Sequence, residues 1–300
     1  MTEYGEGAIL EETAGLIRKE MREIIDNLTA DRVTIGIFFT GVKLSNGYGG
    51  ICFTPIKEIP EAVCCPSSAK AMPSSGKLKG RKVSTILKDM SRGNLLKKAI
   101  GIATMNALSS ACWESCPPEG YVIKRGVDAF DGLELAEDAH VTVIGALVPV
   151  LKALKKRKKP FSILEKDICT RKEDEQEFYV PPEKADAAIR QADILVITGT
   201  TLINDTLEGI LKNAKKNANV LVVGPTASML PDAFFRRGVS SIGGIIVNKP
   251  DELLDVLAEG GSGYHFFGKS ADRVVIDKER TWAAFRPRRC PISIVRRTPG

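Results

Sequence analysis

Apolar positions at Ile9, Leu10, Leu16, Ile17, Met21, Ile24, Ile25 and Leu28 recur at steps of three and four, which predicts one amphipathic helix over residues 9–28. Arg32–Phe39 is rich in Val, Ile, Phe and Thr and reads as a strand. The cluster Leu44–Gly50 (LSNGYGG) contains Asn46-Gly47, a hairpin signal, with Gly50–Thr54 as the returning strand. Pro60–Gly80 reads as a long loop, a class usually functional or mobile. Helices are expected over Lys82–Met90 and Asn94–Cys112, the second with Ala99, Gly101, Ala103 and Ala107 allowing close packing. After residue 140 the rhythm changes. His140–Gly145, Phe161–Glu165, Ile194–Gly199, Asn219–Gly224 and Ser241–Val247 are short β-branched runs. Helical stretches follow four of them, at Leu147–Leu154, Asn204–Asn213, Leu230–Arg237 and Pro250–Glu259. That alternation predicts a parallel sheet covered on both faces, with right-handed crossovers.

These elements predict an α/β chain: an α+β domain at 1–125, a Rossmann-like domain at 126–276 and a basic tail at 277–300. The boundary is expected in the acidic stretch Gly120–Asp138. A length of 300 residues suits two domains, and 43% hydrophobic residues suffice for a core without disulfides or structural metal. No apolar run is long enough for a membrane helix, and the acidic start lacks the features of a signal peptide, so a cytoplasmic protein is expected. The seven cysteines are an odd number at irregular spacing, which suits a reducing compartment. The net charge of +6 is concentrated from Lys278 onward, where seven basic residues face Glu279 alone. The balanced remainder argues against a nucleic-acid-binding body. The tail is either a contact for anions, acidic partners or nucleic acid, or a solvated basic tail that packs back on the domain. A homodimer is the default expectation for assembly.

In open α/β sheets ligands bind outside the carboxyl ends of the strands. Three strands end in glycine and small polar residues: Gly145-Ala146-Leu147, Thr198-Gly199-Thr200-Thr201 with Asn204, and Gly224-Pro225-Thr226-Ala227-Ser228. Glycine permits close backbone approach, and helix starts beyond could hold an anion. The alternative is that Thr201, Asn204 and Ser228 cap helices. Glu165 stands where a dinucleotide-binding domain places a ribose acceptor, or is a surface charge beside Lys166. With no G-x-G-x-x-G loop and with Pro149 inside the next helix, a nucleoside-like, pterin-like or other small polar ligand is expected rather than NAD. Cys112 and Cys116, four apart, and Cys64-Cys65 in the loop form a candidate thiol site for zinc or another heavy divalent metal, against incidental burial. His140 and His265 read as structural. No G-x-S-x-G, P-loop or H-E-x-x-H motif is present, so no catalytic residue is named.

The segments Thr198–Leu207 (TGTTLINDTL), Val223–Ser228 (VGPTAS) and Ala99–Ala107 (AIGIATMNA) resemble the heavy-metal-chelation domain family, long classed as a domain of unknown function. The resemblance covers most of residues 9–276 and implies an N-terminal domain similar to that of enolase followed by a Rossmann-like domain. It implies a site between them. One side would be Gly145, Thr200, Thr201, Asn204, Gly224, Pro225 and Thr226. The other would be Asn46, Gly47 and Gly49 of the hairpin turn, with Asn106. The implied role is binding or processing of a metal-chelating small molecule such as a pterin, a flavin-like compound or a corrinoid precursor. The alternative is a non-catalytic carrier that holds metal through its thiols.

Overall fold

The computed structural model describes residues 8–58, 74–92, 94–116, 119–131, 133, 135–167 and 170–279. Cys64, Cys65, Cys169, Cys290 and the basic tail from Arg280 lie outside them, as does most of the expected loop at 60–80.

The chain opens with α1 (Ile9–Met21) and α2 (Ile24–Asn27). The single helix expected here is broken at Arg22, which takes φ 48° and closes α1 with its backbone N–H on the Arg18 carbonyl. Next comes an antiparallel sheet of three strands, β1 (Ala30–Ile35), β2 (Phe39–Leu44) and β3 (Gly49–Phe53), in that spatial order. The pattern predicted only two strands here. Ile35, Ile37 and Phe38 continue the apolar run through the β1–β2 turn, where they stand exposed, so hydropathy hid the reversal. The Asn46-Gly47 turn is where it was expected, with Gly47 at φ 87°.

α3 (Val83–Arg92) and α4 (Leu95–Ser115) complete the first unit. Asn94 caps α4, its side chain accepting from the Lys97 backbone N–H at 3.0 Å. From Lys98 through Trp113 every residue of α4 is buried, so the helix is packed on all sides. Gly101 is one reason it can be: a β-carbon there would sit 2.5 Å from Cβ of Met90 in α3.

The second unit is a seven-stranded sheet. In chain order its strands are β4 (Tyr121–Arg125), β5 (Val141–Ile144), β6 (Phe161–Leu164), β7 (Ile194–Thr198), β8 (Asn219–Val223), β9 (Ser241–Val247) and β10 (Ala271–Lys278). Across the sheet they run β4-β10-β9-β8-β7-β5-β6. The five strands from β5 to β9 are parallel, while β10 is antiparallel to both β9 and β4. The parallel part, β6-β5-β7-β8-β9, therefore follows the doubly wound order 2-1-3-4-5, whose switch point falls between β5 and β7. Tyr121–Arg125, expected in the first domain, pairs instead with β10 at the edge of this sheet.

The helices are α5 (Val148–Arg157), α6 (Ala185–Gln191), α7 (Leu207–Asn213), α8 (Asp232–Arg236), α9 (Pro250–Ala258) and α10 (Gly263–Phe266). α5 and α9 begin with Pro near the first turn, where a missing N–H costs nothing. One core holds α4 side chains such as Ile102 and Met105 together with Leu195, Ile197, Val220 and Val222 of the sheet. A second core lies on the opposite face, around Val143, Leu151, Val196 and Leu221. The first unit thus covers one face of the second. Among the described residues no helix is long and apolar enough to cross a membrane.

Candidate functional site

At the switch point, Gly145 follows β5 with φ +96°, and its backbone N–H donates to the Leu164 carbonyl of β6 at 2.9 Å. A β-carbon on Gly145 would stand 2.6 Å from Thr198 Cγ2. This glycine is required twice over, by its dihedral and by the closeness of the next strand end. Gly224, after β8, takes φ +129°, and a β-carbon there would lie 3.8 Å from the Gly199 nitrogen. Three neighbouring strand ends are thus in close succession: Gly145, Thr198-Gly199 and Gly224. Glu165 ends β6 beside them.

The turns beyond β7 and β8 are not helix starts. Gly199–Leu202 and Pro225–Ala227 are short 3-10 turns. Hydroxyls stabilise the first: Thr198 Oγ1 accepts from the Thr200 hydroxyl at 3.2 Å, and Thr201 Oγ1 donates to the Thr198 carbonyl at 2.7 Å. Thr198 and Thr200 are half-buried, while Thr201 and Thr226 are buried. Asn204 Oδ1 accepts from the Thr206 hydroxyl at 2.7 Å and from its N–H at 3.3 Å, a side-chain turn that leads into α7. Ser228 also works locally, donating to the Pro225 carbonyl and accepting from the Ile245 N–H. Half-buried Glu165 accepts the Asp167 N–H at 2.9 Å.

The first unit reaches these ends through β3. Phe53 N–H donates to Thr226 Oγ1 at 3.1 Å, and further along the chain Lys57 Nζ meets Asp167 Oδ2 at 3.0 Å. The segment Phe53–Glu58 therefore lies over the ends of β8 and β6, with the ends of β7 and β5 between them in the sheet order. The family resemblance implies the hairpin turn instead. That turn is elsewhere: a β-carbon at Gly49 would meet Val247 and Pro250 at 3.0 Å, so Gly49 packs on the end of β9 and the start of α9. Asn46 is buried, its carbonyl oxygen accepting the Tyr48 N–H at 3.4 Å within the turn. Asn46, Gly47 and Gly49 are not brought to the switch point.

Asn106 does join the two units, but as a bolt. Its buried amide nitrogen donates to the carbonyls of Ile51 at 2.8 Å, Pro225 at 3.1 Å and Thr226 at 3.1 Å. This fastens β3 and the turn after β8 to α4.

Two lysines escaped sequence reasoning. Lys57 carries the ion pair just described. Lys98, only 9% exposed, lies inside α4 and pairs with Asp205 Oδ1 at 2.5 Å. The signal available was a lysine in an otherwise apolar helix. Cys52, buried in β3, has its thiol pushed up by burial, although the Thr226 side chain and the Lys98 charge act the other way.

Of the four candidate thiols, Cys64 and Cys65 lie outside the described residues. Cys112 is buried, and Cys116 is disulfide-bonded and so is no thiolate donor. The i,i+4 argument fails because Cys116 has left the helix: its φ/ψ of −138°/124° is extended and its N–H closes α4 on Cys112. Among the described residues no group of three or more His, Cys, Asp or Glu could hold a metal ion. His140 precedes β5 at the opposite end of the sheet. His265 forms a capping box with Ser262, its Nδ1 accepting the Ser262 N–H at 3.0 Å.

With this geometry in place, both units find counterparts. Residues 18–109 match one family model and residues 128–276 another, and both models carry the description "Putative heavy-metal chelation". The chain belongs to this family. An uncharacterized protein of Methanocaldococcus jannaschii is 28% identical over 189 residues, which cover 59% of this chain and 65% of that protein. The match thus spans just under two thirds of the relative's length. A crystal structure of a family member of unknown function from Pyrococcus horikoshii superposes with a TM-score of 0.69 at 18% identity, covering 90% of this chain and 100% of that one. A second, from Desulfitobacterium hafniense, gives 0.64 at 18% identity, covering 90% and 98%. These structures share the fold.

Proposed function

We propose that the protein binds a small polar, metal-chelating molecule at the carboxyl ends of β5 to β8, beneath the Phe53–Glu58 segment. The observation that carries this reading is the pair of positive-φ glycines, Gly145 and Gly224, flanking Thr198-Gly199 at the switch point. Gly145 lets Thr198 of the central strand close in, and Gly224 on the other side leaves backbone open to close approach, the usual device for small polar ligands in doubly wound sheets. The wall offers the Thr198 and Thr200 hydroxyls and the Glu165 carboxylate. These fit a ligand with several hydrogen-bonding groups, such as a pterin, a flavin-like compound or a corrinoid precursor. In this reading the chelating atoms belong to the ligand, since the described wall has no donor cluster of its own. The family description agrees with a cargo of this chemistry.

The test is a thermal-shift screen of pterins, flavins and corrinoid precursors, each with and without a heavy divalent metal. Binding to the folded state raises Tm by mass action. Thr200→Val removes one hydroxyl at nearly constant volume and is expected to abolish the shift while leaving the ligand-free Tm within a few degrees. A hit whose shift survives both Thr200→Val and Thr198→Val binds elsewhere and defeats the proposal.

A further inference from the structure

Between α1 and α7, and reaching Thr201 and Leu202 on the far side of the turn after β7, lies a cavity of about 820 Å3. Its apolar lining includes Leu10 from the first unit and Leu202, Leu207, Leu211 and Val220 from the second. Its rim carries Lys212 and Lys216, both exposed. The other charges at its wall are already neutralised. Glu208 takes the Ile9 N–H at 2.7 Å and Arg237 Nε at 3.3 Å. Arg237 also pairs with Glu12 at 2.5 Å, Lys215 with Asp193 at 2.6 Å, and Asp205 with Lys98. Among the described residues no ion pair is made by Lys212 or Lys216. The cavity is thus apolar inside and singly signed at its mouth, and its volume is that of a small-molecule site.

We infer that this cavity binds a small apolar molecule bearing one anionic group, with the apolar body against Leu207 and Leu211 and the anion at Lys212 and Lys216. This is a second site, distinct from the one proposed at the strand ends. The probe that tests it is 8-anilinonaphthalene-1-sulfonate, titrated by fluorescence against the full chain. Saturable binding at one site is expected. Reversing both rim charges with Lys212→Glu, in α7, and Lys216→Glu, in the turn that follows it, is expected to weaken it by about tenfold. The same variant leaves the uncharged N-phenyl-1-naphthylamine unaffected. Ala214→Phe, which narrows the cavity, is expected to weaken both probes. The inference is overturned by non-saturable binding, by sulfonate affinity indifferent to the charge reversal, or by binding that appears only when residues 2–7 are deleted, since the chain's own start would then be the occupant. Loss of binding in Thr200→Val would also overturn it, by moving the probe to the strand ends. Survival of binding in that variant separates the two sites.

Discussion

At the scale of single residues, the most consequential contact is the one that converts an expected ligand group into a structural one. Asn106 donates to three buried carbonyls on two different segments. Truncation to Ala takes the Asn106 donor from the Ile51 and Thr226 carbonyls, while Pro225 keeps the Ser228 hydroxyl, a loss worth about 1–3 kcal/mol. Asn106→Ala should therefore lower the urea midpoint with an unchanged m-value. Any loss of ligand affinity should follow from a loosened Pro225–Ala227 wall rather than from a lost ligand contact. Gly145→Ala should also destabilise, because both φ +96° and the Thr198 methyl oppose a β-carbon. Thr198→Ser removes that methyl, so the Gly145→Ala penalty should shrink in the Thr198→Ser background but not vanish, the remainder being contact with the β-carbon of residue 198 at 2.9 Å and backbone strain of about 1–2 kcal/mol. Asp193 gives a pH signature. Its carboxyl is held below the usual carboxylate range by the Lys215 ammonium and the His140 backbone N–H. A depressed folded pKa contributes stability that is complete above the ordinary value of about 3.9 and lost as pH falls through the folded value. Asp193→Asn should consequently lower the urea midpoint slightly at pH 7, and the difference from wild type should close in strong acid.

At the scale of elements, the parallel strands were legible because each is a short β-branched run bounded by glycine or a charge, and burial on both faces leaves no competing pattern. The expected starts and ends of β5 to β9 differ from the observed ones by a residue or less. What stayed hidden depends on partners distant in sequence. β4 is too short and mixed (Tyr121, Val122, Ile123, Lys124, Arg125) to announce itself, and it is a strand only because β10 lies alongside. The site shows the same division. Gly145, Glu165, Thr200 and Gly224 were readable from strand-end chemistry. The Phe53–Glu58 segment was not, since it is positioned by Thr226 and Asp167, more than a hundred residues away. Asn204 and Thr201 were readable as polar turn residues, but not that their side chains bond within their own turns, because only the hydrogen bonds decide that. The ion pair joining α1 to the end of α8 belongs at this scale too. Arg237 has a side chain only 6% exposed and meets Glu12 at 2.5 Å. Arg237→Met removes one of the two cations on Glu12, which keeps Arg236 at 2.6 Å, and should cost about 1–3 kcal/mol, read as a fall in urea midpoint, whereas a solvent-exposed pair such as Lys57–Asp167 should cost well under 1 kcal/mol.

At the scale of the whole molecule, the question is whether the two units are independent. The pattern along the chain suggests two domains with a linker, and an ordinary linker would let each unfold alone. The packing argues otherwise. The core that surrounds α4 is continuous with one face of the seven-stranded sheet, so Ile102 and Met105 share a cluster with Ile197 and Val222. A second cluster joins Ile51 of β3 to Ile245, Leu254 and Leu257. Removing the first unit would expose a sheet face of several fully buried aliphatic side chains, each worth about 1.5–3 kcal/mol of burial, against a total stability expected at about 5–15 kcal/mol. Neither half should then survive without the other. Urea unfolding should be a single transition, with far-UV circular dichroism and Trp113 fluorescence coincident once Trp282 is replaced by Phe. Trp113 reports locally on the junction, since its indole N–H donates to the Tyr121 hydroxyl of the second unit at 3.1 Å. Two separated transitions, or a soluble folded fragment ending near residue 116, would show that the shared core adds little. The strand ends and the segment over them could then move as separate bodies, and a rigid cleft would no longer follow from the fold.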